Sequence, residues 1–307
     1  MRCLYSRKKG KVKSQTKSSE INDFYFKTWG FRPINQPEIL INKYYSKDLN
    51  FHYFDRDLAG DELYYEQLQK SRDNYYNPHR KEFDIAKKLS SEDKSVLEIG
   101  CGSGYFADQL NCKSFLGLEF NQMAIDKATE KGLKVIKSSI ENLASSTEEK
   151  FDLIFSFHVL EHVKDPLSFV DSAKKLLKED GLLFLAVPNN DSVLTYGKNV
   201  ILNIPPHHLN QYTRKTFECF STYHKLEIIK IEDVFIGNKT PELTYNARVL
   251  TNWIFQIFYK SEIVQNEKFT KVENYVIRIL SKIWRFYPFK KESQGENLIG
   301  IFKNSQV

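Results

Sequence analysis

Cysteine is scarce in this sequence: its 307 residues include four, and their positions show no close pairing pattern. One of them, Cys101, lies inside a glycine-rich segment, where a crosslink would obstruct the approach of a ligand. The missing pattern argues against the disulfide framework of small secreted domains. We therefore expect a protein of the reducing cytoplasm.

Long apolar runs are also missing. No stretch of about 18 uncharged apolar residues occurs anywhere in the chain. The N-terminus carries cations but lacks the apolar core of a signal peptide. The sequence therefore predicts neither a membrane-spanning helix nor secretion.

An excess of positive charge is confined to the N-terminus, although the formal net charge of the chain is +6. The first twenty residues hold seven cations and one anion, which leaves 38 basic and 38 acidic residues in the rest. A neutral body does not suit a nucleic-acid-binding groove, so we expect no nucleic-acid partner. Residues 1–20 are predicted to be a disordered, solvated basic tail.

From Lys94 onward, short apolar runs alternate with helical stretches. This alternation predicts one α/β domain over residues 91–307, with a parallel, Rossmann-like sheet and helices on both faces. Residues 21–90 are predicted to form an N-terminal helical cap, with helices near 37–45, 61–69 and 78–89. The predicted strands of the sheet are 95–99, 114–118, 134–137, 151–157, 182–187, 226–232 and 297–303.

A long segment before the last predicted strand carries apolar residues at helical spacing, over 249–258 and 272–284. We expect 244–290 to be a helical insertion that packs on itself or on the domain. A peripheral membrane contact or a subunit contact is the alternative, because aromatic residues at 284–287 adjoin Lys290 and Lys291.

A glycine-rich loop follows the first predicted strand. Gly100, Gly102 and Gly104 give a tight turn that a ligand can approach closely, and we expect it to open onto a helix N-terminus. Nicotinamide-binding loops place their third glycine five positions after the first, whereas Tyr105 occupies that place here. A nucleotide-binding oxidoreductase is therefore disfavoured and kept as an alternative.

Two acidic residues lie at strand ends that point into the same crevice. Glu98 is at the tip of the first predicted strand, and Glu119 ends the second. A carboxylate at Glu119 can accept both hydroxyls of a ribose, while Glu98 can organise the loop and an ammonium group of the ligand. A dinucleotide would gain nothing from Glu98, because its pyrophosphate is anionic.

These residues resemble the class I S-adenosylmethionine-dependent methyltransferases, whose first motif is an acidic residue followed by x-G-x-G-x-G. The resemblance covers about 94–187. The segment Leu160-Glu161-His162-Val163, followed by Asp165-Pro166, is similar to the small-molecule and glycan-pathway branch, methyltransferase types 23 and 11. It implies S-adenosyl-L-methionine as cofactor, held by Glu98, Gly100, Cys101, Gly102, Gly104, Tyr105, Glu119, Phe120, Ser139, Ile140, Phe157 and His158.

The sequence departs from this family pattern at two places. Ser139 stands where many relatives have an aspartate for the adenine amino group, so Ile140 and Phe120 are expected to hold the ring by apolar and backbone contacts. The N-terminal region is similar to a zinc ribbon that has lost its cysteines, with only Cys3 left, so it cannot form a cysteine-bound zinc site. Tyrosines of the cap are expected to form a roof over the cofactor: Tyr64, Tyr65, Tyr75 and Tyr76.

Methyl transfer to a hydroxyl needs alignment of the acceptor, exclusion of water and removal of one proton. The candidate bases are His208, His162 and His158, which follow the fourth and fifth predicted strands. His162 could instead fix its loop, and His207 with His208 could bind substrate or cap the helix that begins near Thr213.

Some quinone-type O-methyltransferases bind a divalent ion through acidic residues and histidine in the segment that corresponds to His158, Glu161 and His162. Because histidine occupies the first of these positions, we expect no metal. The leading function is methyl transfer to an oxygen of a sugar, a glycan precursor or a quinone-like small molecule. A non-catalytic S-adenosylmethionine-binding protein is the alternative, and nucleic-acid methylation is weaker because no Asn-Pro-Pro-Tyr element follows the fourth strand.

Overall fold

The computed structural model describes residues 1–72, 78–192, 200–235, 261–263, 275–276, 278–279 and 295–304. Within these ranges the strands are β1 (Lys11–Lys17), β2 (Leu40–Ser46), β3 (Phe51–Tyr53), β4 (Ser95–Ile99), β5 (Ser114–Leu118), β6 (Val135–Ile136), β7 (Phe151–Phe157), β8 (Leu177–Pro188), β9 (Asn210–Gln211), β10 (Glu227–Val234) and β11 (Asn297–Lys303). The α-helices are α1 (Ser18–Trp29), α2 (Glu62–Lys70), α3 (Lys81–Ala86), α4 (Gln122–Glu130), α5 (Ile140–Ser146), α6 (Pro166–Leu176) and α7 (Arg214–His224).

The main sheet has seven strands in the order β10-β11-β8-β7-β4-β5-β6. The five strands from β8 to β6 run parallel, and β11 is antiparallel to both of its neighbours. All five residues of β4 are buried, as expected for a central parallel strand that is covered on both faces. This topology confirms the predicted Rossmann-like α/β fold.

Helices cover both faces of the main sheet because alternate side chains of each strand point to opposite sides. Leu97 of β4 belongs to a core shared with α5, α6 and α7. Its neighbour Val96 belongs to a second core with Phe83 of α3. The chain leaves β4 towards β5 and β6, then returns to its other side at β7. The carboxyl ends of β4 and β7 therefore flank the point where a doubly wound sheet holds its ligands.

Helices α4 and α6 each begin at a residue whose side chain caps the first turn. The side chain of Asn121 accepts a hydrogen bond from the Ala124 N–H at the start of α4, and Asp165 accepts from two amides at the start of α6. Helix α6 ends at Leu176, five residues before Gly181. The buried Leu177 is instead paired with Phe151 in the sheet, and sheet pairing outweighs helix continuation there.

The basic N-terminal segment is folded, so the prediction of a disordered tail is wrong. β1 pairs antiparallel with β2, and Cys3 and Tyr5 are buried. Along β1, Ser14 and Thr16 point inwards while the lysines stay exposed on an edge strand. The lysines of β1 thus lie on the solvent-exposed face of a strand. The helix predicted over 37–45 is also wrong, because this segment forms β2.

A second, four-stranded antiparallel sheet has the order β1-β2-β3-β9 and joins the N-terminal region to residues 210–211. Its last strand, β9, comes from the segment that follows β8. The pair His52 with Gln211 and the hydrogen bond from Phe54 N–H to Leu209 O (2.9 Å) fix that segment against the cap. The cap is therefore a mixed sheet and helix unit, and not the helical cap that we predicted.

Most of the predicted insertion 244–290 lies outside the described residues, so its helices and its membrane or subunit contact stay predictions. Across the part of the chain that the structure describes, no helix has both the length and the apolarity to cross a membrane. All four cysteines are free.

Candidate active site

The glycine loop begins where β4 ends, and three of its residues have left-handed backbone. Gly100, Gly102 and Gly104 have φ of 72°, 52° and 76°. A Cβ on Gly100 would lie 2.4 Å from Cγ2 of Val159, so this position needs glycine for both its conformation and its close packing. The N–H groups of Gly100 and Cys101 donate to the carbonyl of Leu118 (2.8 and 3.0 Å), which ties the loop to β5.

The loop opens onto a single 3-10 turn, Ala107–Gln109, and not onto the predicted α-helix N-terminus. The Gln109 and Leu110 amides donate to carbonyls three residues earlier. The chain then enters β5 at Ser114, which leaves little length for a longer helix. The loop's own amides, rather than a helix dipole, are therefore what it offers to a ligand.

Glu98 lies beneath the loop with 3% of its surface exposed. Its Oε2 has no hydrogen-bond partner among the residues that the structure describes. Burial and the neighbouring Glu119 carboxylate raise the pKa of Glu98 well above its usual value. An ammonium group placed here would supply both the missing hydrogen bond and the missing charge. S-adenosylmethionine carries such a group, so this buried oxygen fits the cofactor.

Glu119 is held in place by backbone amides. Its Oε1 accepts from Phe120 N–H (2.7 Å) and Asn121 N–H (3.0 Å), and its Oε2 accepts from Gly102 N–H (2.9 Å). A carboxylate has about four acceptor positions, so about one remains for a ribose hydroxyl. The structure thus offers one acceptor position, and the predicted bidentate grip on both hydroxyls would need an amide to move.

The residues predicted at the adenine end have separate local roles. Ser139 caps α5 by accepting from Asn142 N–H (3.1 Å), Ile140 is buried behind it, and Phe120 is 59% exposed. The ring of Phe157 packs in the core against Phe83, so any cofactor contact there comes from its backbone. Contacts of Ser139, Ile140, Phe120, Phe157 and Tyr105 with the cofactor stay predictions.

Helix α2 forms part of the expected roof over the strand ends. Gln69 accepts a hydrogen bond from the Asn121 side chain (2.6 Å), next to Glu119. At the other end, the ring of Tyr65 lies 5.8 Å from that of His162, centroid to centroid. Tyr64 is buried and shares a hydrogen bond with Tyr25 (2.8 Å). Residues 75 and 76 lie outside the described ranges.

Three of the four histidines at the strand ends meet in one cluster. The centroids of the His162, His207 and His208 rings are 4.6 to 4.9 Å apart. The loop that carries His207 and His208 is fixed to the segment after β7 by the hydrogen bond from Leu209 N–H to Glu161 O (2.9 Å). The cap holds it from the other side, since Gly60 N–H donates to Pro206 O (2.8 Å).

Glu161 lies at the centre of this cluster and is 1% exposed. Its Oε1 is 3.6 Å from Nδ1 of His158 and 3.8 Å from Nε2 of both His162 and His208. Burial alone would raise the pKa of Glu161, but the facing His158 and His162 rings prevail and lower it to about 2. The sequence indicated Glu161 only as a metal ligand and did not show that it organises the histidines.

His158 is held between two buried carboxylates. Its Nε2 is 3.3 Å from Oε1 of Glu82, and its Nδ1 faces Glu161. Burial opposes its charge, yet Glu161 and Glu82 raise the pKa of His158 and so favour its imidazolium form. With both nitrogens engaged, His158 is poorly placed as the base that the sequence predicted. Glu82 was missed, although it shares one face of the predicted helix with Ala86 and Leu89, where a carboxylate is unexpected.

Nε2 of His162 and Nε2 of His208 both face Glu161. Nδ1–H of His162 donates to the carbonyl of His207 (2.5 Å), and Nδ1–H of His208 donates to Oδ1 of Asn203 (3.1 Å). In the neutral form of either ring, Nε2 is therefore the nitrogen that carries the lone pair. Burial and the neighbouring His162 lower the pKa of His208 to about 3, so His208 is a neutral imidazole.

The fold and the two ends of this crevice define a class of enzyme, the S-adenosylmethionine-dependent class I methyltransferases. A family model described as a methyltransferase domain matches residues 70–230, which is more than half of the chain. The chain belongs to this family, and its cofactor is S-adenosyl-L-methionine.

Curated relatives share the same region. The ubiquinone biosynthesis O-methyltransferase of Actinobacillus pleuropneumoniae serotype 5b is 34% identical over 125 residues, which cover 37% of this chain and 53% of that protein. The mitochondrial ubiquinone biosynthesis O-methyltransferase of Dictyostelium discoideum is 24% identical over 199 residues, which cover 56% and 62%. The chain thus spans about half the length of the first of these relatives. Among solved structures, the YcgJ protein of Bacillus subtilis has the same fold, with a TM-score of 0.50, 15% identity, and coverage of 75% of this chain and all of that one.

Proposed function

We propose that this protein transfers the methyl group of S-adenosylmethionine to an oxygen of a small-molecule acceptor and releases S-adenosylhomocysteine. The observation that carries the proposal is the buried cluster of Glu161 and histidines directly beside the cofactor loop. The two are adjacent because Val159, in the segment that leads to Glu161, packs against Gly100. This contact supports a proton acceptor next to the bound methyl donor.

Of the sugar, glycan-precursor and quinone-like acceptors expected, we propose the last, with a phenolic or quinol hydroxyl as the nucleophile. The curated relatives are named for O-methylation in ubiquinone biosynthesis, and none of those reported above is named for a sugar. Chemistry favours the same choice. A phenol with a pKa of about 10 lies about 3.5 units above imidazole, roughly 5 kcal/mol, which a positioned histidine can overcome. An aliphatic hydroxyl with a pKa near that of water, about 16, lies far higher.

In the proposed reaction the acceptor oxygen attacks the methyl carbon in line with the carbon–sulfur bond. That bond breaks, its electron pair stays on sulfur, and the sulfonium charge is lost. The hydroxyl proton passes to Nε2 of His162, and the Glu161 carboxylate stabilises the imidazolium that forms. His208, whose pKa is lowered to about 3, is too weak a base for this step. His158, fixed by Glu82, keeps Glu161 in position.

The cofactor end and the roof have supporting roles in this proposal. Glu98 binds the ammonium group, Glu119 binds the ribose, and the glycine loop lets the cofactor approach the backbone. Helix α2, with Tyr65 over the histidines, excludes water from the reacting atoms. Alignment and desolvation of this kind supply much of the rate in a displacement reaction.

A labelled-methyl transfer screen tests the function. The full chain is incubated with S-adenosylmethionine that carries a labelled methyl group and with quinols, nucleotide sugars or lipid-linked glycans. We expect label on a quinol oxygen. Label on sugars alone would refute the acceptor class. Cofactor binding without transfer to any acceptor would favour the alternative, a non-catalytic S-adenosylmethionine-binding protein.

A further inference from the structure

The histidine cluster has more nitrogen donors in one place than proton transfer needs. We infer that His162, His207 and His208 form a binding site for a transition-metal ion of the zinc class, with the Glu161 carboxylate as its anionic neighbour. The sequence gave no such expectation, because two of these ligands come from a loop far from the Glu161-His162 pair.

The three donor atoms converge. One ring nitrogen from each of His162, His207 and His208 lies within 4.8 Å of the others. Nitrogen ligands lie about 2.1 Å from zinc, so in its tetrahedral geometry two ligands of one ion are about 3.4 Å apart. The donor atoms therefore need to approach one another by up to about 1.4 Å, which side-chain rotations supply.

The hydrogen bonds behind the rings select the form that a metal requires. Nδ1–H of His162 donates to a backbone carbonyl, and Nδ1–H of His208 donates to Asn203, so each ring in its neutral form presents the Nε2 lone pair to the site. Histidines that bind metals usually donate their other N–H to a carbonyl or carboxylate in this way, which fixes the tautomer and the ring orientation.

Glu161 supplies an independent indication that a ligand belongs between the rings. The side chain is almost fully buried, and no hydrogen bond within 3.5 Å reaches either carboxylate oxygen from the described residues. Nε2 of His162 and Nε2 of His208 face Oε1 at 3.8 Å. A metal cation between them would pair with the carboxylate and accept the lone pairs of the neutral rings, which is favourable to all three groups.

The donor set indicates which ion binds. Three imidazoles with one carboxylate nearby suit zinc and similar transition metals, whereas Mg²⁺ prefers oxygen ligands. His158 is not among the ligands, because Glu82 holds it on the far side of Glu161. The proposed ligands therefore differ from those of a metal site formed by residues of the 158–162 segment alone.

The role of the ion rests on the proposed function, but its binding does not. When bound, such an ion would polarise the acceptor hydroxyl and lower its pKa. The Nε2 atoms of His162 and His208 would then be ligands and not proton acceptors, and the hydroxyl would lose its proton to water as the acceptor binds.

Metal titration of the full chain tests the inference. Protein stripped with a chelator is titrated with Zn²⁺ or Mg²⁺ by calorimetry, and its metal content is measured after dialysis. We expect one Zn²⁺ per chain and no saturable Mg²⁺ binding, and visible absorption of a low-coordinate nitrogen site when Co²⁺ replaces Zn²⁺. His207→Ala and His208→Ala should each weaken Zn²⁺ binding at least tenfold. His79→Ala, which alters an exposed histidine outside the cluster, should leave it unchanged.

Cofactor binding serves as the folding control, because each histidine variant should keep its affinity for S-adenosylmethionine. Failure of the wild-type chain to retain one Zn²⁺, or equal loss of Zn²⁺ in the His79→Ala variant, would overturn the inference. Stoichiometric Zn²⁺ without methyl transfer to any acceptor would leave the site standing and refute the proposed function. Methyl transfer that persists in a chain shown to bind no Zn²⁺ would refute the metal site and leave the proposed function standing.

Discussion

Replacing Gly100 by alanine tests the close packing between the cofactor loop and the segment that leads to the histidines. Gly100 has φ of 72°, where a non-glycine residue costs about 1–2 kcal/mol. The new Cβ would also lie 2.4 Å from Cγ2 of Val159, and relief of such overpacking costs about 1–3 kcal/mol more. We therefore expect Gly100→Ala to lower the free energy of unfolding by about 2–5 kcal/mol.

Gly132 offers a matched control for this variant. Its φ is 81°, and a Cβ there would meet no atom within 4 Å. Gly132→Ala should therefore show the conformational cost alone, about 1–2 kcal/mol. The Val159→Ala substitution removes the clashing methyl group. It should therefore lower the free energy of unfolding less in the Gly100→Ala background than in the wild type. Urea denaturation measures all four variants against the wild type, and calorimetry with S-adenosylmethionine should show a loss of affinity only with Gly100→Ala.

Equal losses of stability in Gly100→Ala and Gly132→Ala would refute this reasoning, because the contact with Val159 would then contribute nothing. The same conclusion would follow if Val159→Ala were fully additive with Gly100→Ala. Non-additivity is expected only for residues in contact. The double-mutant cycle of Gly100→Ala and Val159→Ala therefore tests the geometry of the loop, and it does not depend on knowing the methyl acceptor.

Three further predictions concern charged groups. Glu119→Ala should weaken S-adenosylmethionine binding about 10- to 100-fold in calorimetry, since one charge-assisted hydrogen bond contributes about 1.5–3 kcal/mol; unchanged affinity would remove Glu119 from the site. Glu161→Gln should slow methyl transfer at least about 100-fold while cofactor affinity stays within about threefold, and a normal rate would exclude a role for the cluster. Burial opposes the charge of Asp152, but Lys178 and Ser95 lower its pKa to about 2. The ionised Asp152 therefore stabilises the fold above about pH 4, and this stabilisation is lost as the pH falls towards 2. In urea denaturation at pH 7, Asp152→Asn should be about 1–3 kcal/mol less stable than the wild type. The difference in stability should disappear in acid.

Much of the main sheet follows from local sequence because its strands are buried on both faces. Apolar runs with no alternation identified β4, β5, β7 and β11 at their observed bounds. The N-terminal sheet was missed because its pattern is ambiguous. In β1 the inward positions are Ser14 and Thr16, so the strand has no apolar alternation and its lysines suggested a tail.

The cofactor end of the site was predictable because its residues lie close together in sequence at strand ends. Glu98 and Glu119 needed only the topology of two adjacent parallel strands. The acceptor end was predicted only as separate histidines. Their meeting around Glu161 depends on β9 pairing with β3 across about 160 residues, and on Glu82 from a third segment. No local pattern encodes contacts of that range.

Calorimetric titration of the wild-type chain with S-adenosylmethionine, and separately with NADH, tests the central claim most directly. The account predicts one S-adenosylmethionine per chain, competition by S-adenosylhomocysteine, and no saturable NADH binding, because Glu98 needs a cation and the loop spacing does not suit a dinucleotide. Binding of NADH without binding of S-adenosylmethionine would contradict the account.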